Sequence, residues 1–165
     1  MTQGQQPGKH RRESPGTLSR WFQQRVNARM NAGIRRGRQQ FMGMDVLILH
    51  TVGRRSGEPR ESPVSWFRDP ADEEARLIVA SGGGRYDPGW HFNLMAHPDQ
   101  ASIELPGDAP VPVTPHELDG AERDQAWARI TAEQPRFAKY QQKTPDREYP
   151  VIRLTPQRPR EEALA

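Results

Sequence analysis

The apolar residues of this chain fall into short runs of strand length, and turn-forming residues separate most of these runs. The run at residues 45–51 (DVLILHT) is continuous and predicts a buried strand. A hairpin follows, because residues 53–59 (GRRSGEP) are rich in turn formers and residues 60–67 return to an extended pattern. Hairpin-linked strands are typical of a barrel rather than a doubly wound sheet. Further strands are predicted at residues 77–81, 101–105, 111–118 and 149–154.

Helical spacing of apolar residues predicts a long helix near the N-terminus. It is capped by Thr17 or Ser19 and is expected to be broken by Gly33 and Gly37. Because it also carries arginines, this basic amphipathic helix either docks on the domain or lies on a membrane surface, and docking is the favoured alternative. Its apolar positions are Trp21, Phe22, Val26, Met30 and Ile34. Shorter helices are predicted at residues 90–96, 120–133 and 135–142.

The whole pattern predicts a single α+β domain with short helices at the edges of a mostly antiparallel barrel. A chain of 165 residues fits one such domain, which we place at residues 17–156. Residues 1–16 are rich in Gln, Gly, Pro and charge, a composition that predicts a disordered basic arm. Residues 157–165 are polar and contain proline, and we expect a mobile tail there.

The formal net charge is +3, but the basic residues are concentrated in the first 60 positions, where acidic residues are few. Such a region is expected to attract anions. The chain contains no cysteine, which excludes disulfides, thiolate metal sites and cysteine nucleophiles. The N-terminus lacks the apolar segment of a secretory signal, and no apolar run approaches the length of a membrane span. We therefore expect a cytoplasmic protein.

The first candidate binding segment is the loop after the buried strand. It combines the guanidinium groups of Arg54, Arg55 and Arg60 with glycines and the hydroxyl of Ser56. Glycine lets backbone approach a ligand, and the arginine fork matches phosphate or carboxylate oxygens. The segment predicts an anion cradle, and a solvated hairpin turn with incidental arginines is the equally weighted alternative. It is not a Walker loop, because the Gly-Lys-Ser/Thr ending is absent.

The second candidate segment is Ser81 with the three glycines that follow it, at the end of a predicted strand. Trp90 then begins a short helix. Free N–H groups in such a run, together with the positive end of a helix, suit an anionic or carbonyl-rich ring edge. A plain glycine loop is the alternative.

The sequence shows no set of side chains that would catalyse a reaction without a cofactor. The five histidines lack metal-ligand spacing, so we expect no metal site, and no nucleophile elbow supports a hydrolase. An enzyme that takes its chemistry from a cofactor needs only binding and orientation, which suits this sequence.

Three segments in order along residues 46–156 resemble the deazaflavin-dependent nitroreductase family, which includes F420H2-dependent quinone reductases. These segments are LILHTVGRRSGEPRESPV, VASGGGRYDPGWHFNLMAHPD and PRFAKYQQKTPDREYPVIRL. The resemblance implies a split β-barrel that binds coenzyme F420 and transfers a hydride to a small organic acceptor such as a quinone, nitro compound or activated alkene. Split barrels are often dimeric, so a homodimer is one alternative for the oligomeric state, which the sequence leaves open.

The same resemblance implies which residues meet the cofactor. Its anionic tail would be bound in the basic loop, its ring would meet the glycine strand end, and the following helix would complete the site. The implied binding residues are Arg54, Arg55, Ser56, Gly57, Pro59, Arg60, Pro63, Ser81, Gly82, Gly83, Trp90 and Asn93. Tyr140 or Ser81 would donate a hydrogen bond to the acceptor oxygen, a role that water could also fill.

The chain departs from the family pattern at two informative positions. Gly82 stands where the family usually has a lysine, and Phe137 replaces a tyrosine that some members carry near the acceptor. Other ligands on the same barrel remain alternatives, namely FMN, a haem-derived group or a fatty acid. A second alternative is a basic protein that binds a membrane or a nucleic acid. No nucleic-acid motif is present, and we expect no nucleic-acid partner.

Overall fold

The computed structural model describes residues 17–157, with side chains from residue 21 onward. The predicted arm at residues 1–16 and nearly all of the predicted tail lie outside the described residues. The helices are α1 (Thr17–Arg35), α2 (Gly89–Ala96), α3 (Gly120–Glu133) and α4 (Pro135–Lys143). The strands are β1 (Gln40–Phe41), β2 (Met44–Val52), β3 (Pro59–Asp69), β4 (Asp72–Val79), β5 (Ser102–Glu104), β6 (Val111–Glu117) and β7 (Val151–Pro156). No helix from residue 17 to residue 157 is both long and apolar enough to cross a membrane.

Six strands close into an antiparallel barrel in the order β2-β3-β4-β7-β6-β5, with β5 pairing back onto β2. The closure is visible at Leu49, which pairs with Ser62 of β3 on one side and Ile103 of β5 on the other. With four helices around it, this barrel confirms the predicted α+β split-barrel class.

The two faces of the strands bury different parts of the core, as the two-residue period of a strand requires. Leu47 and Leu49 point into the barrel, where they join the apolar cluster that contains Ile78. Leu77 and Val79, on the opposite face of β4, pack against α3 and α4 in a second cluster. The barrel is therefore filled by its own side chains and covered by helices on the outside.

Among the residues of α1 whose side chains are described, those of the C-terminal half pack on the barrel. Ile34 is completely buried against β2, whereas Trp21 is 56% exposed and Phe22 is 67% exposed. Gly33 does not break the helix, contrary to our expectation, since an isolated glycine costs only about 1 kcal/mol. The helix ends at Arg35, and Gly37 takes a φ of 106° just beyond it.

Two elements differ from the predicted pattern. Strand β4 begins at Asp72, five positions before the predicted start at residue 77, because its polar first half still pairs with β3. Arg76 pairs with Arg68 there, and its guanidinium carbon lies 4.7 Å from the ring centroid of Trp66. The short strand β1 was not predicted.

Candidate functional site

Two connecting segments follow the carboxyl ends of parallel strands. Strands β2 and β4 are both antiparallel to β3, so they run parallel to each other and point to the same end of the barrel. The segment after β2 is the basic loop (residues 53–60), and the segment after β4 begins with the glycine turn (residues 81–84). Helix α2 follows the glycine turn and contacts the basic loop. The candidate site is formed by these three segments.

Backbone hydrogen bonds give the basic loop its shape. Gly53 N donates to Glu58 O at 2.8 Å, and Gly57 N donates to Gly53 O at the same distance. Ser56 Oγ accepts from Glu58 N at 3.2 Å. A Cβ at position 53 would lie 2.4 Å from Ser56 Oγ and would displace that hydroxyl, and Gly57 has a φ of 68°. The glycines and the serine thus have structural roles in closing the loop.

The arginines of the basic loop are exposed. Arg54 N donates to Asn93 Oδ1 of α2 at 3.0 Å, and the Arg54 guanidinium lies 5.0 Å from the ring centroid of Phe92. Arg55 and Arg60 also reach the surface. The loop therefore presents a concentrated positive charge whose backbone is joined to α2.

Helix α2 covers the barrel end and is fixed there from several directions. Leu94 is completely buried in the barrel interior, and Trp90 packs partly buried against the same cluster. His91 Nε2 lies 2.9 Å from Glu117 Oε1 at the end of β6. With the Asn93 contact to the basic loop, these interactions position α2 across the site.

The glycine turn has a backbone conformation that favours glycine at three successive positions. Gly82, Gly83 and Gly84 have φ values of 55°, 67° and 82°, and Gly84 N donates to Ser81 O at 2.9 Å. A Cβ on Gly84 would lie 2.8 Å from Cδ1 of Tyr140, while one on Gly83 would meet nothing within 4 Å. The turn is thus pressed against α4 on one side and open on the other.

Tyr140 is the residue of α4 that contacts the glycine turn. Its ring makes an edge contact with Phe137 at 5.6 Å between centroids. Phe137 is only 6% exposed and packs edge-on against Phe67 at 5.7 Å. Phe137 is therefore part of the core under the turn, and Tyr140 is the one of the two that borders the predicted site.

The structure gathers the predicted binding residues into two groups at the same barrel end, with one exception. Pro63 pairs with Ile48 within the β2–β3 ladder, on the face that α1 covers. It therefore lies along the sheet rather than in the basic loop, and a direct contact with the cofactor remains only a prediction. The loop group is Arg54, Arg55, Ser56, Gly57, Pro59, Arg60 and Asn93, and the turn group is Ser81, Gly82, Gly83 and Tyr140, together with Trp90 at the start of α2.

Two sets of residues were missed by sequence reasoning. The first is a polar cluster where α1 meets the barrel: Arg35 donates to Glu61 at 2.6 Å and to Glu104 at 2.9 Å, and His50 Nε2 contacts Glu104. The hydrogen bond from Arg35 holds the pKa of Glu104 below its usual range. One potential metal-ligand atom from each of His50, Glu61 and Glu104 lies within 4.8 Å of the others. Arg35, however, already balances the negative charge of the two carboxylates.

The second set is Arg147 and Asp87, which form a buried ion pair at 2.9 Å beside the glycine turn. Burial lowers the pKa of the Arg147 guanidinium. Both residues lie in segments that resemble the family, but nothing in the sequence near either residue predicts that they pair.

Comparison with known proteins identifies the class to which this site belongs. The family model for F420H(2)-dependent quinone reductase matches residues 20–156. An F420H(2)-dependent quinone reductase of Mycobacterium tuberculosis (strain ATCC 25618 / H37Rv) is 35% identical over 151 residues, which are 84% of this chain and 97% of the relative.

Solved structures agree with this match. The structure of an F420-H2 dependent reductase has a TM-score of 0.56 and 32% identity, covering 66% of this chain and 92% of that one. A protein solved as a domain-swapped dimer has a TM-score of 0.59 and 28% identity, covering 84% of this chain and 99% of its own.

The fold is a split barrel, and these matches show that the protein is a reductase. The chain belongs to the F420H(2)-dependent quinone reductase family, and it is therefore an oxidoreductase whose cofactor is coenzyme F420. The residues at the barrel end fit this group. Exposed guanidinium groups suit its anionic tail, and Gly83, where a Cβ would meet no atom within 4 Å, leaves the open side of the turn accessible.

Proposed function

We propose that this protein transfers a hydride from reduced F420 to a small organic acceptor at the barrel end formed by the basic loop, the glycine turn and α2. The observation that carries the proposal is that an exposed polybasic loop and an open glycine turn follow parallel strands and that the loop is hydrogen-bonded to α2, the helix after the turn. An elongated cofactor with an anionic tail and a planar ring would use both surfaces.

Arg54, Arg55 and Arg60 would bind the anionic tail, with Ser56, Gly57 and Pro59 shaping the loop around it. Ser81, Gly82 and Gly83 would meet the ring, and Trp90 and Asn93 would support it from α2. When bound, the reduced deazaflavin supplies a hydride. The chain contributes alignment and exclusion of water, and near-attack alignment alone can be worth about 7–11 kcal/mol.

The hydroxyl groups of Tyr140 and Ser81 are the candidates for a hydrogen bond to the acceptor oxygen. Tyr140 borders the turn through its contact with Gly84, and Ser81 begins the turn. Either hydroxyl would stabilise the charge that develops on the acceptor as the hydride arrives. A quinone is the favoured acceptor class, since both oxygens of a quinone accept such bonds, and nitro compounds and activated alkenes are the alternatives.

Titration of the full chain with F420 and, in parallel, FMN tests the cofactor assignment. We expect saturable binding of F420 with a lower Kd than for FMN, because the basic loop suits a tail more anionic than a single phosphate. Turnover of reduced F420 is then followed by absorbance with a quinone, a nitroarene and an activated enone. Saturable binding of FMN without binding of F420 would retain the barrel and refute the proposed cofactor.

A second proposal concerns the free half of α1. Trp21 and Phe22 are more than half exposed, and the Arg25 guanidinium lies 4.5 Å from the Trp21 ring centroid. We propose that this face rests on an anionic lipid surface, which would place the enzyme near a lipid-soluble quinone. Co-sedimentation with anionic vesicles should be lost in a Trp21→Gln, Phe22→Gln variant, and absence of binding by the unmodified chain would refute it.

A homodimer is also proposed. The exposed half of α1 is available for exchange between copies, as an alternative to lipid contact. Sedimentation at several protein concentrations tests this, and a monomer throughout would refute it.

A further inference from the structure

Arg147 lies between α4 and β7, under the glycine turn. Its side chain is only 8% exposed, and its guanidinium carbon lies 4.2 Å from the ring centroid of Tyr149. Tyr149 is completely buried and stacks on Trp127 at 5.3 Å, with 10° between the ring planes. The guanidinium is therefore held by packing in one orientation.

From this position one nitrogen of Arg147 reaches both ends of the glycine-rich segment. Arg147 Nη2 donates to Ala80 O at 3.2 Å, immediately before the turn, and to Asp87 Oδ1 at 2.9 Å, two residues before α2. Asp87 is itself only 9% exposed. The six residues between these contacts include the three glycines of the turn, each of which has a positive φ.

A segment of this composition needs such a restraint. Glycine has more backbone freedom to lose than any other residue, so three in succession make the free segment costly to order. Contacts at both ends limit the conformations that the segment can adopt. A guanidinium suits this role because its flat group packs on the Tyr149 ring and so fixes Nη2, whereas a lysine ammonium is a point donor on a flexible stem.

We propose that Arg147 is a positioning residue that clamps residues 81–86 into the shape that receives the cofactor ring. This inference rests on the proposed function for its ligand, but the clamp itself is a property of the chain. Arg147 acts through the turn and has no contact with the acceptor. Asp87 is its partner in the clamp.

Arg147→Lys is the test variant, because it keeps the buried positive charge beside Asp87 and so preserves the ion pair. Arg123→Lys is the matched control. The Arg123 side chain is also 8% exposed, donates to Tyr149 O at 2.8 Å, and lies 5.1 Å over the Trp127 ring. Like Arg147, it packs on an aromatic ring, but it has no described contact with residues 80–87.

Hydrogen exchange of the peptide spanning residues 80–88 is measured in the full chain without cofactor, followed by the Kd for F420 and by kcat and KM. Arg147→Lys should speed exchange of this peptide and weaken F420 binding about tenfold, as expected for one charge-assisted hydrogen bond. Arg123→Lys should leave both unchanged. Asp87→Asn should reproduce the exchange effect of Arg147→Lys and add little to it in the double variant.

Equal acceleration in the Arg147 and Arg123 variants would indicate general destabilisation and would overturn the clamp. Faster exchange without a change in the Kd for F420 would overturn its positioning role. If the unmodified chain fails to bind F420, the proposed function fails, and the exchange comparison still decides whether Arg147 clamps the turn.

Discussion

The basic loop and the glycine turn lie at the same end of the barrel, but they are held there by different kinds of interaction. The basic loop is exposed throughout residues 54–60, and a hydrogen bond from Arg54 N to Asn93 joins it to α2. The glycine turn is pressed against Tyr140 on one side and is joined at its ends to Arg147.

This difference indicates what each segment contributes. An exposed set of arginines binds a flexible anionic tail by charge, and tolerates variation in how that tail lies. A planar ring that must be aligned for hydride transfer needs a surface of fixed shape. Substitutions in the turn should therefore change shape and stability, whereas substitutions of the loop arginines should change affinity alone.

The largest effect is expected for Gly84→Ala. The residue has a φ of 82°, and the added Cβ would lie 2.8 Å from the Tyr140 ring. The backbone conformation alone costs about 1–3 kcal/mol for a residue other than glycine, and the contact adds to it. We expect a fall in Tm of about 5–10 °C and a loss of F420 affinity of about a hundredfold or more, measured by thermal unfolding and titration.

Gly83→Ala is the control for this prediction. Gly83 has a φ of 67°, but a Cβ there would meet nothing within 4 Å. It shares the backbone penalty and lacks the collision, so the difference between the two variants measures the contact with Tyr140. Equal losses in both would mean that Tyr140 does not shape the turn.

The next effect concerns the basic loop. Arg54→Ala combined with Arg55→Ala should weaken F420 binding about thirtyfold, because each exposed charged contact contributes about 1 kcal/mol. Thermal stability should not change, and the dependence of the Kd on salt should become shallower. Arg129→Ala, at an exposed position of α3, is the control. An unchanged Kd in the double variant would remove the loop from the site.

The fold could be predicted from the sequence where local pattern and tertiary packing agree. Helix α3 has the predicted bounds, Gly120–Glu133, and β2 contains the whole predicted apolar run. The polar start of β4 could not be found, because its pairing with β3 carries no apolar alternation. The apolar spacing of α1 did not reveal that only its second half is covered, since exposure depends on where the barrel ends.

The candidate site was predictable only in its linear segments. Glycine and arginine content identified both the loop and the turn, because these residues are informative about backbone freedom and anion binding. The pair Arg147 and Asp87 lies 60 positions apart in sequence, and Arg35 meets Glu104 across 69 positions. Such contacts form when the barrel closes, and the sequence around each residue does not predict its distant partner.

Asn93→Ala should break the hydrogen bond between the basic loop and α2, and its effect on F420 binding should be smaller than that of the Arg54, Arg55 double variant. Removing Oδ1 leaves Arg54 N without its partner, a loss of about 1 kcal/mol at this partly exposed position. We expect about fivefold weaker F420 binding and faster hydrogen exchange in residues 53–58. Asn93→Asp keeps an acceptor and should restore slow exchange, while its negative charge keeps F420 affinity low. Fast exchange in both variants would contradict the role of this hydrogen bond.

The smallest effect is expected for Tyr140→Phe, which keeps the ring against Gly84 and removes only the hydroxyl. A neutral hydrogen bond to the acceptor is worth about 1 kcal/mol, so kcat should fall about fivefold while Tm and the Kd for F420 stay constant. Tyr86→Phe is the matched control, because Cδ2 of Tyr86 lies 3.2 Å from where a Cβ on Gly82 would be, much as Tyr140 lies against Gly84. A drop in kcat for Tyr86→Phe and none for Tyr140→Phe would transfer the donor role to the other side of the turn. If neither variant changes kcat while Ser81→Ala does, Ser81 is the donor, and the turn itself then supplies both the shape of the ring site and its hydrogen bond.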